Sequence, residues 1–401
     1  MNIVVISNAC SSSRYAYEQS LRKFKSVDPG HFFFRSIING LAEKENCTVS
    51  CLSIVPTSFF DTKILFKKGY SENEDKCKYI YPTCVNLPFI RDLFNYFGLK
   101  RIIKQINLDK NSVVIVDSLM HEVGGCLKYL KKHQIKTIAC ITDLPSIIIS
   151  TTGKKGISYC IDRFFMNISN NLLKEYDSYI FMTKYMDKVV NNENKPNIII
   201  DCIANPIDNI PKKVINNRPV VFYGGALLKN YGISNLIESC KYLEDACDVW
   251  LYGGNCDFSS EIDSLHKKYS NLKIHGPVSK DELHVLERNS SILINPRPIA
   301  EFTYYSFPSK TVEYLQMNVP VLMFKLPCLS KEYDEYIYYI EENTPECIAN
   351  SIKQILNSNK DEISCRTTKA KQFIEKYKCE QYQCEKIYNL AKKLLEQSIQ
   401  Q

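Results

Sequence analysis

The sequence has 401 residues, about twice the length of an ordinary compact domain, so we expect two hydrophobic cores. Hydrophobic residues make up 45% of the chain and charged residues 24%, which excludes a wholly disordered chain, a collagen-like repeat and an integral membrane protein. The formal net charge of +7 is a mild excess that suits a polyphosphate ligand or an anionic surface and gives little support to nucleic-acid binding.

The 17 cysteines include no Cys-x-x-Cys pair, and several lie in apolar runs, which is typical of buried reduced thiols. The segment Met1–Ser7 has no basic residues before its apolar stretch, so it predicts a first strand and not a signal peptide. No apolar run approaches the ~20 residues needed to cross a bilayer. We therefore expect a cytoplasmic protein, or one that is peripheral on the inner face of the cell membrane.

Short β-branched segments alternate with amphipathic segments of helical length over the first half of the chain. The strands are continuously apolar, which indicates a parallel sheet with helices on both faces. The predicted strands are Ile3–Ser7, Val49–Val55, Val113–Asp117, Lys136–Ile141, Ser178–Met182 and Ile198–Ile203. The predicted helices are His31–Lys44, Ile90–Ile106, Glu122–His133 and Ser158–Tyr176. This pattern predicts a doubly wound, Rossmann-like α/β domain over residues 1–205.

A connector rich in Pro and Asn, Asn205–Pro219, interrupts the alternation, which then resumes. The next predicted strands are Val220–Tyr223, Val249–Tyr252, Lys273–His275, Ile292–Asn295 and Val319–Met323. The next predicted helices are Ile233–Tyr242, Ser260–Tyr269, Lys280–Arg288 and Pro308–Met317. A last helical stretch, Glu362–Gln400, is long enough to leave the second domain, placed at 206–377, and to pack on the first from about residue 378.

Two similar α/β domains that face a central cleft are the predicted architecture, and ligands of open parallel sheets bind beyond the carboxyl ends of the strands. Gly224 and Gly225 follow the first strand of the second domain and let the backbone approach a ligand, although a plain turn is the alternative. Lys229 offers a charge to a phosphate. No dinucleotide fingerprint or triphosphate-binding loop is found.

The segment Ile294–Leu315 carries the strongest signal in the sequence. A helix is predicted to begin near Ser306–Pro308, with Ser at the cap and Pro in the first turn. The free amides and dipole of such a terminus attract an anion, and Lys310 adds a full charge. Glu313 lies three residues later on the same helical face, where its carboxylate can accept hydrogen bonds from ribose hydroxyls.

The loop before this helix is aromatic and holds Arg297 and Glu301, and loops at strand ends often carry function. From Val220 to about Leu326, the Gly-Gly turn, Gly276-Pro-Val-Ser-Lys-Asp-Glu-Leu, Asn-Pro-Arg and Phe-Pro-Ser-Lys-x-x-Glu-Tyr-Leu stand in a specific order and spacing. In this the sequence resembles the retaining glycosyltransferases of family 4, which have the GT-B fold, of the type that builds bacterial surface polysaccharides.

The resemblance implies roles for individual residues. Glu313 would bind the ribose of the donor, and the amides around Ser309 and Lys310 would bind its diphosphate. Gly225 would lie against the phosphates and the backbone near Val278 beside the base.

The sequence also departs from the family pattern. The family's glutamate eight residues before the ribose glutamate is Tyr305 here, so Glu301 is the candidate replacement. Ala226 and Tyr231 stand where the family has Arg and Lys. The missing positive charge would come from Lys229, Arg297 and Lys310.

No Asp-x-Asp motif is present, so we predict a metal-independent enzyme in which fixed cations and helix amides stabilise the departing diphosphate. The predicted donor is a UDP- or GDP-linked sugar, with no cofactor. Retention of configuration is what the resemblance implies.

The first domain is predicted to bind the acceptor. A long loop, Asn8–Gly30, carries Arg14, Arg22 and Lys23 toward an anionic acceptor, or is a solvated loop. Asp143 follows a strand, and His121 follows another; each is a candidate to face the sugar, with a structural role as the alternative for the histidine.

The sequence thus predicts a hexosyltransferase-type enzyme that extends a glycan or a lipid-linked acceptor and does not bind nucleic acid. The aromatic and basic stretch Leu87–Lys104 suits peripheral contact with a membrane. Two alternatives stay open: a GT-B sugar-nucleotide epimerase, and a catalytically silent partner that binds a nucleotide sugar and supports another transferase.

Overall fold

A computed structural model of the chain describes residues 1–22, 28–55, 59–87, 90–147, 156–207, 210–211, 217–254 and 256–399. The chain divides into two compact units: Met1–Ile203 together with the segment from Glu380 form one, and Ala204–Cys379 form the other. Each unit is built on a largely parallel sheet, which confirms the predicted fold class of two doubly wound α/β domains.

The first unit contains the strands β1 (Asn2–Ser7), β2 (Thr48–Ser53), β3 (Phe66–Lys67), β4 (Tyr70–Glu74), β5 (Cys77–Tyr81), β6 (Cys84–Val85), β7 (Ser112–Asp117), β8 (Lys136–Ile141), β9 (Ser178–Phe181) and β10 (Asn197–Ile199). Its helices up to this point are α1 (Ser12–Leu21), α2 (Pro29–Ala42), α3 (Phe59–Thr62), α4 (Ile90–Gln105), α5 (Gly124–Lys132), α6 (Ile157–Leu172) and α7 (Lys184–Val190).

Within the described residues, the sheet of the first unit has the strand order β10-β9-β8-β7-β1-β2-β5-β4. Its pairs are parallel, except that the edge strand β4 runs antiparallel to β5, while β3 and β6 form a separate antiparallel ribbon. The order reverses between β1 and β7, so the topological switch point of this unit lies where those two strands end.

The second unit contains β11 (Val220–Gly224), β12 (Asp248–Tyr252), β13 (Leu272–His275), β14 (Ile292–Asn295), β15 (Val321–Phe324) and β16 (Ile337–Ile340). Its helices are α8 (Ile233–Ser239), α9 (Ile262–Lys268), α10 (Lys280–Arg288), α11 (Lys310–Leu315), α12 (Pro345–Leu356) and α13 (Lys360–Tyr377). The parallel strand order β13-β12-β11-β14-β15-β16 places the switch point between β11 and β14.

The final helix, α14 (Glu380–Ile399), packs into the core of the first unit. Its residues Leu390 and Leu394 belong to the same buried cluster as Phe34 and Leu41 of α2. A Cβ at Gly40 would lie 2.5 Å from the Sγ of Cys384, so this glycine allows the two helices to approach closely.

Several elements differ from the sequence-based predictions. The expected loop Asn8–Gly30 contains α1, which Ser11 caps by accepting a hydrogen bond from the Arg14 amide at 3.1 Å. Strand β4 was missed because it is a polar edge strand, and α12 and β16 were not predicted. The stretch Glu362–Gln400, predicted as one helical segment, forms two helices. The break lies at Lys378, whose carbonyl accepts a hydrogen bond of 2.7 Å from the Ala204 amide.

All 17 cysteines are free thiols. Among the helices of the described residues, none combines the length and the apolar character that a membrane span requires. Most of the predicted connector 205–219 lies outside the described residues.

Candidate functional site

The switch point of the second unit brings together most of the predicted site residues. Strand β11 ends at Gly224 and β14 ends at Asn295, and the loop and helix α11 follow the latter. The Gly224 amide donates a hydrogen bond of 3.0 Å to the buried hydroxyl of Tyr314. This bond fixes α11 against the end of β11, so side chains of α11 lie beside the Gly-Gly turn.

The two glycines of this turn are required by close packing. A Cβ at Gly225 would lie 2.9 Å from Cε of Lys310, and one at Gly224 would lie 2.8 Å from Cδ1 of Leu283. Neither glycine has a positive φ. The glycines are therefore needed at this turn for a specific reason, which is that the Lys310 side chain lies directly against it.

Glu313 of α11 and His284 of α10 form the best-defined polar contact of the site. The Nε2 of His284 lies 2.8 Å from the Oε1 of Glu313. Glu287, one turn along α10 from the histidine, is fully buried, and neither of its carboxylate oxygens has a hydrogen-bond partner among the described residues. The donor atoms of these three side chains all lie within 4.8 Å of one another.

Burial and the surrounding charges drive the two carboxyl groups to opposite protonation states. Burial and the adjacent charge of Glu313 raise the pKa of Glu287 well above its ordinary value. Burial alone would also raise the pKa of Glu313, but the hydrogen bond to His284 and the charge of Lys310 outweigh it and lower that pKa. These opposite shifts favour an ionised Glu313, which can accept hydrogen bonds, and the protonated form of Glu287.

This arrangement has two chemical capacities. Glu313 keeps 24% of its side chain exposed, so an ionised carboxylate held by His284 can accept hydrogen bonds from hydroxyl groups of a ligand. The imidazole and the two carboxylates also offer donors that suit a divalent ion in number and type.

The start of α11 differs from the prediction. The helix begins at Lys310, not near Ser306–Pro308, and the side chain of its cap residue, Ser309, makes no capping hydrogen bond. Within the described part of the chain, the amides of Ser309 and Lys310 have no acceptor, as expected at the first turn of a helix. They remain available to an anion.

Arg297 is placed by aromatic side chains. Its guanidinium carbon lies 4.4 Å from the ring centroid of Tyr231 and 5.6 Å from that of Phe302. Its Nε is buried and has no partner among the described residues. The tyrosine that replaces the expected lysine therefore positions a neighbouring cation.

The remaining predicted residues of the second unit lie at its surface or in its loops. The Lys229 amide donates to Asp257 at 2.8 Å, and its Nζ lies 4.0 Å from Glu261 and 5.4 Å from the ring centroid of Phe258. Glu301 is exposed and begins a 3₁₀ turn, and Val278 lies in the loop between β13 and α10.

In the first unit, three acidic residues gather near the ends of β7 and β8. Asp117 ends β7, and the charges of Glu122 and Asp143 act on its carboxyl group. Burial, reinforced by these two charges, raises the pKa of Asp117 to about 7, although its Oδ1 accepts a hydrogen bond of 3.1 Å from the Leu119 amide.

His121 stacks on Phe165, with ring centroids 4.1 Å apart. Its Nδ1 lies 3.6 Å from Oε2 of Glu122, and its Nε2 is buried without a partner among the described residues. The donor atoms of His121, Glu122 and Asp92 lie within 4.8 Å of one another. The predicted histidine thus belongs to a polar cluster, and it is held in place by an aromatic ring.

The cations expected to meet an anionic acceptor have different environments. Arg14 pairs with the buried Glu18, and Arg22 lies 2.9 Å from Asp28. Lys23 lies outside the described residues.

Five residues of these clusters were not predicted from the sequence: His284, Glu287, Asp117, Glu122 and Asp92. His284 and Glu287 lie on α10, a helix whose bounds were predicted correctly, and a charged residue on its apolar face was the available signal. Asp117 ends an otherwise apolar strand, a position that favours function in parallel sheets.

Comparison with known protein sequences gives two findings. Residues 207–376 match the model of the family Glycosyl transferases group 1. No curated protein sequence matches the chain.

Several solved structures resemble the fold over nearly its whole length. A sucrose-phosphate synthase from Thermosynechococcus elongatus is 12% identical, covers 98% of this chain and 99% of its own, and has a TM-score of 0.69. An α,α-trehalose 6-phosphate synthase from Burkholderia multivorans is 9% identical, covers 100% and 98%, and has a TM-score of 0.67. An E. coli structure bound with UDP-2-fluoro glucose is 9% identical, covers 98% and 99%, and has a TM-score of 0.66.

At these identities the structural likeness concerns the fold. It confirms the predicted GT-B class, and the matched family model covers the unit that carries the Glu313 site. The family match and the structural likeness together support a GT-B glycosyltransferase.

Proposed function

We propose that the chain is a retaining, family 4 glycosyltransferase that moves a hexose from a UDP- or GDP-linked donor to a glycan or lipid-linked acceptor of a bacterial surface polysaccharide. The observation that carries this proposal is the Glu313–His284 pair beside Lys310 and the Gly224–Gly225 turn, at the switch point of a matched domain. A carboxylate for ribose hydroxyls and a cation for phosphate stand on one short helix.

In the proposed reaction the bond between the anomeric carbon and a phosphate oxygen breaks, and negative charge grows on the leaving diphosphate. Lys310 and the free amides of Ser309 and Lys310 would stabilise that charge, because fixed donors do not need to reorganise during the reaction. Arg297, Lys229 and the backbone near Val278 complete the proposed donor site. Glu313 would hold the ribose through its exposed carboxylate oxygen atoms.

We also propose that Glu301, Asp143 and His121 contact the transferred sugar or the acceptor, since each lies in a segment that follows the end of a strand. The transfer is proposed to need no metal, because cationic side chains and amides can supply the charge that an ion would provide.

A membrane-borne acceptor fits the surface of α4. Four apolar side chains of this helix are more than 40% exposed, namely Ile90, Leu93, Phe94 and Phe97. Lys100, Arg101 and Lys104 follow on the same helix. Aromatic side chains next to basic ones are typical of helices that lie in a membrane interface, so we propose peripheral binding to anionic lipid.

A panel of UDP- and GDP-sugars tested by thermal shift, followed by a transfer assay, examines the function directly. The correct donor should raise the melting temperature by mass action. Glu313→Gln should lower kcat/KM at least about a hundredfold, since losing a charged hydrogen bond costs on the order of 3 kcal/mol. Glu341→Gln, an exposed carboxylate on the same unit, is the matched control.

Three other outcomes would contradict the proposal. Donor binding without transfer to any acceptor would favour a silent partner protein. Conversion of the donor sugar without an acceptor would favour an epimerase. Failure of every nucleotide sugar to bind would rule out the donor site itself.

A further inference from the structure

A polar cavity opens in the first unit at the carboxyl ends of β2 and β5, where these strands run into their loops. Its wall includes Arg14 from α1, Ser53 from the end of β2, and Lys67 from β3. Asn95 from α4 closes the opposite side. Residues distant in sequence thus line one cavity at the sheet edge where ligands of parallel sheets bind.

Four buried polar atoms on the wall have no hydrogen-bond partner among the described residues: Nε of Arg14, Oγ of Ser53, Oδ1 of Asn86 and Nδ2 of Asn95. Ser53, Asn86 and Asn95 are each at most 2% exposed. The amide of Asn86 is oriented, because its Nδ2 donates to the Ile64 carbonyl at 3.0 Å. An unpaired buried polar atom is destabilising, so four around one cavity indicate a polar occupant.

The charge around the cavity is positive. Four cations line it, Arg14, Lys67, Lys68 and Arg91. The buried carboxylate of Glu18 pairs with two of them, and Asp92 lies 3.5 Å from Nε of Arg91. Lys68 is exposed, and none of the ion pairs described for the chain includes it. A third carboxylate, that of Glu72, accepts a hydrogen bond of 2.9 Å from the lining Tyr81. The four cations still outnumber the three carboxylates, which favours an anion.

We propose that this cavity binds an oxyanion group of the acceptor, so that the acceptor is an acidic saccharide; this rests on the proposed glycosyltransferase function. Arg14 Nε and Asn95 Nδ2 would donate to the oxyanion, and Asn86 Oδ1 would accept from a neighbouring hydroxyl. The cavity volume of about 20 Å³ holds one or two water-sized groups, which suits the two oxygens of a carboxylate better than a phosphate ester.

Titration of the full chain with sodium glucuronate, glucose 6-phosphate and glucose, at constant ionic strength, tests the proposal by calorimetry and thermal shift. Glucuronate should bind saturably and raise the melting temperature, while neutral glucose should do neither. A stronger effect of glucose 6-phosphate would support an anion site and would overturn the choice of a carboxylate.

The variant Asn95→Leu has nearly the same shape and removes the unpaired donor. Its melting temperature without ligand should be unchanged or higher, while glucuronate binding weakens at least about tenfold. Ser53→Ala is a second variant with the same expectation if Asn95→Leu does not fold. Lys68→Gln should weaken binding severalfold, and Lys132→Gln, an exposed lysine of α5, should not.

The proposal fails if neither acidic sugar binds, as it would if ordered water alone fills the cavity. It also fails if binding persists unchanged in Asn95→Leu and Lys68→Gln, since the anion then binds elsewhere. These results can be distinguished from a failure of the proposed donor site. In that case nucleotide-sugar binding would be absent, or it would not change in Glu313→Gln.

Discussion

The switch points of the two units both hold a buried acid, but the acids have different neighbours. In the second unit Glu287 lies beside Glu313, with His284 and Lys310 close enough to stabilise one ionised carboxylate. In the first unit Asp117 has the acids Glu122 and Asp143 as its charged neighbours. The same edge of the sheet is thus used in two ways. The second unit stabilises the carboxylate of Glu313 in its charged form, whereas in the first unit the neighbouring acids favour the protonated form of Asp117.

Moving the cation of the second unit should strongly weaken donor binding. In Gly225→Ala the new Cβ would lie 2.9 Å from Cε of Lys310 and 2.8 Å from Oη of the buried Tyr223, so both side chains must shift. Donor affinity should fall more than tenfold, which corresponds to about 1.4 kcal/mol, and the displaced Tyr223 should also lower the melting temperature. Isothermal titration with the nucleotide sugar measures this.

The matched control for that substitution is Gly254→Ala, because a Cβ there would meet nothing within 4 Å. Equal losses of affinity in the two variants would contradict the assignment of Lys310 to the phosphate and would favour a general requirement for flexible loops.

A smaller effect is expected on stability when the buried acid of the second unit is neutralised. Glu287 has a raised pKa in the folded chain, so the folded state binds more protons than the unfolded state above the ordinary value of 4.5. Glu287 therefore lowers the free energy of unfolding by an amount that grows as the pH rises. Glu287→Gln should melt at least about 3 °C above the parent at pH 8, with a gap that shrinks toward pH 5.

The corresponding substitution in the first unit should change the melting temperature over a narrower pH range. The pKa of Asp117 rises from an ordinary 3.8 to about 7, so ionisation of the unfolded state alone destabilises the fold between these values. The melting temperature of Asp117→Asn relative to the parent should increase from pH 4 to pH 7 and stay constant above that. A gap that keeps widening to pH 9 would show that the two acids do not differ as described.

Most strands of the second unit and its helix α10 could be predicted from the sequence. The electrostatics of the site that they carry could not. Apolar strands and the limits of α10 follow from periodicity, a local property, so β14 and α10 were placed correctly. The pairing of His284 with Glu313 joins residues 29 positions apart and depends on how α10 and α11 pack. Periodicity carries no information on that packing.

The polar cavity of the first unit shows the same limit. Arg14 was recognised as a candidate from its place after β1, but its position in a helix was not. The sequence does not single out Asn86 or Asn95, because a buried asparagine has no distinctive sequence pattern. Only the fold brings their unpaired atoms to one wall.

The smallest effect is expected from removing metal ions. His284, Glu287 and Glu313 offer donors within 4.8 Å of one another, yet Lys310 already supplies charge at this end of the sheet. Transfer measured after EDTA treatment should therefore stay within about twofold of the untreated rate, whereas Lys310→Met should lower it at least tenfold.

Loss of activity in EDTA, restored by Mn²⁺ and abolished in His284→Gln, would reverse this interpretation. It would mean that the second unit fixes its ionised carboxylate with an ion, and that the cation next to Gly225 has a supporting role. The two units would then differ in how a buried acid is stabilised, by a metal ion in the second and by a bound proton on Asp117 in the first.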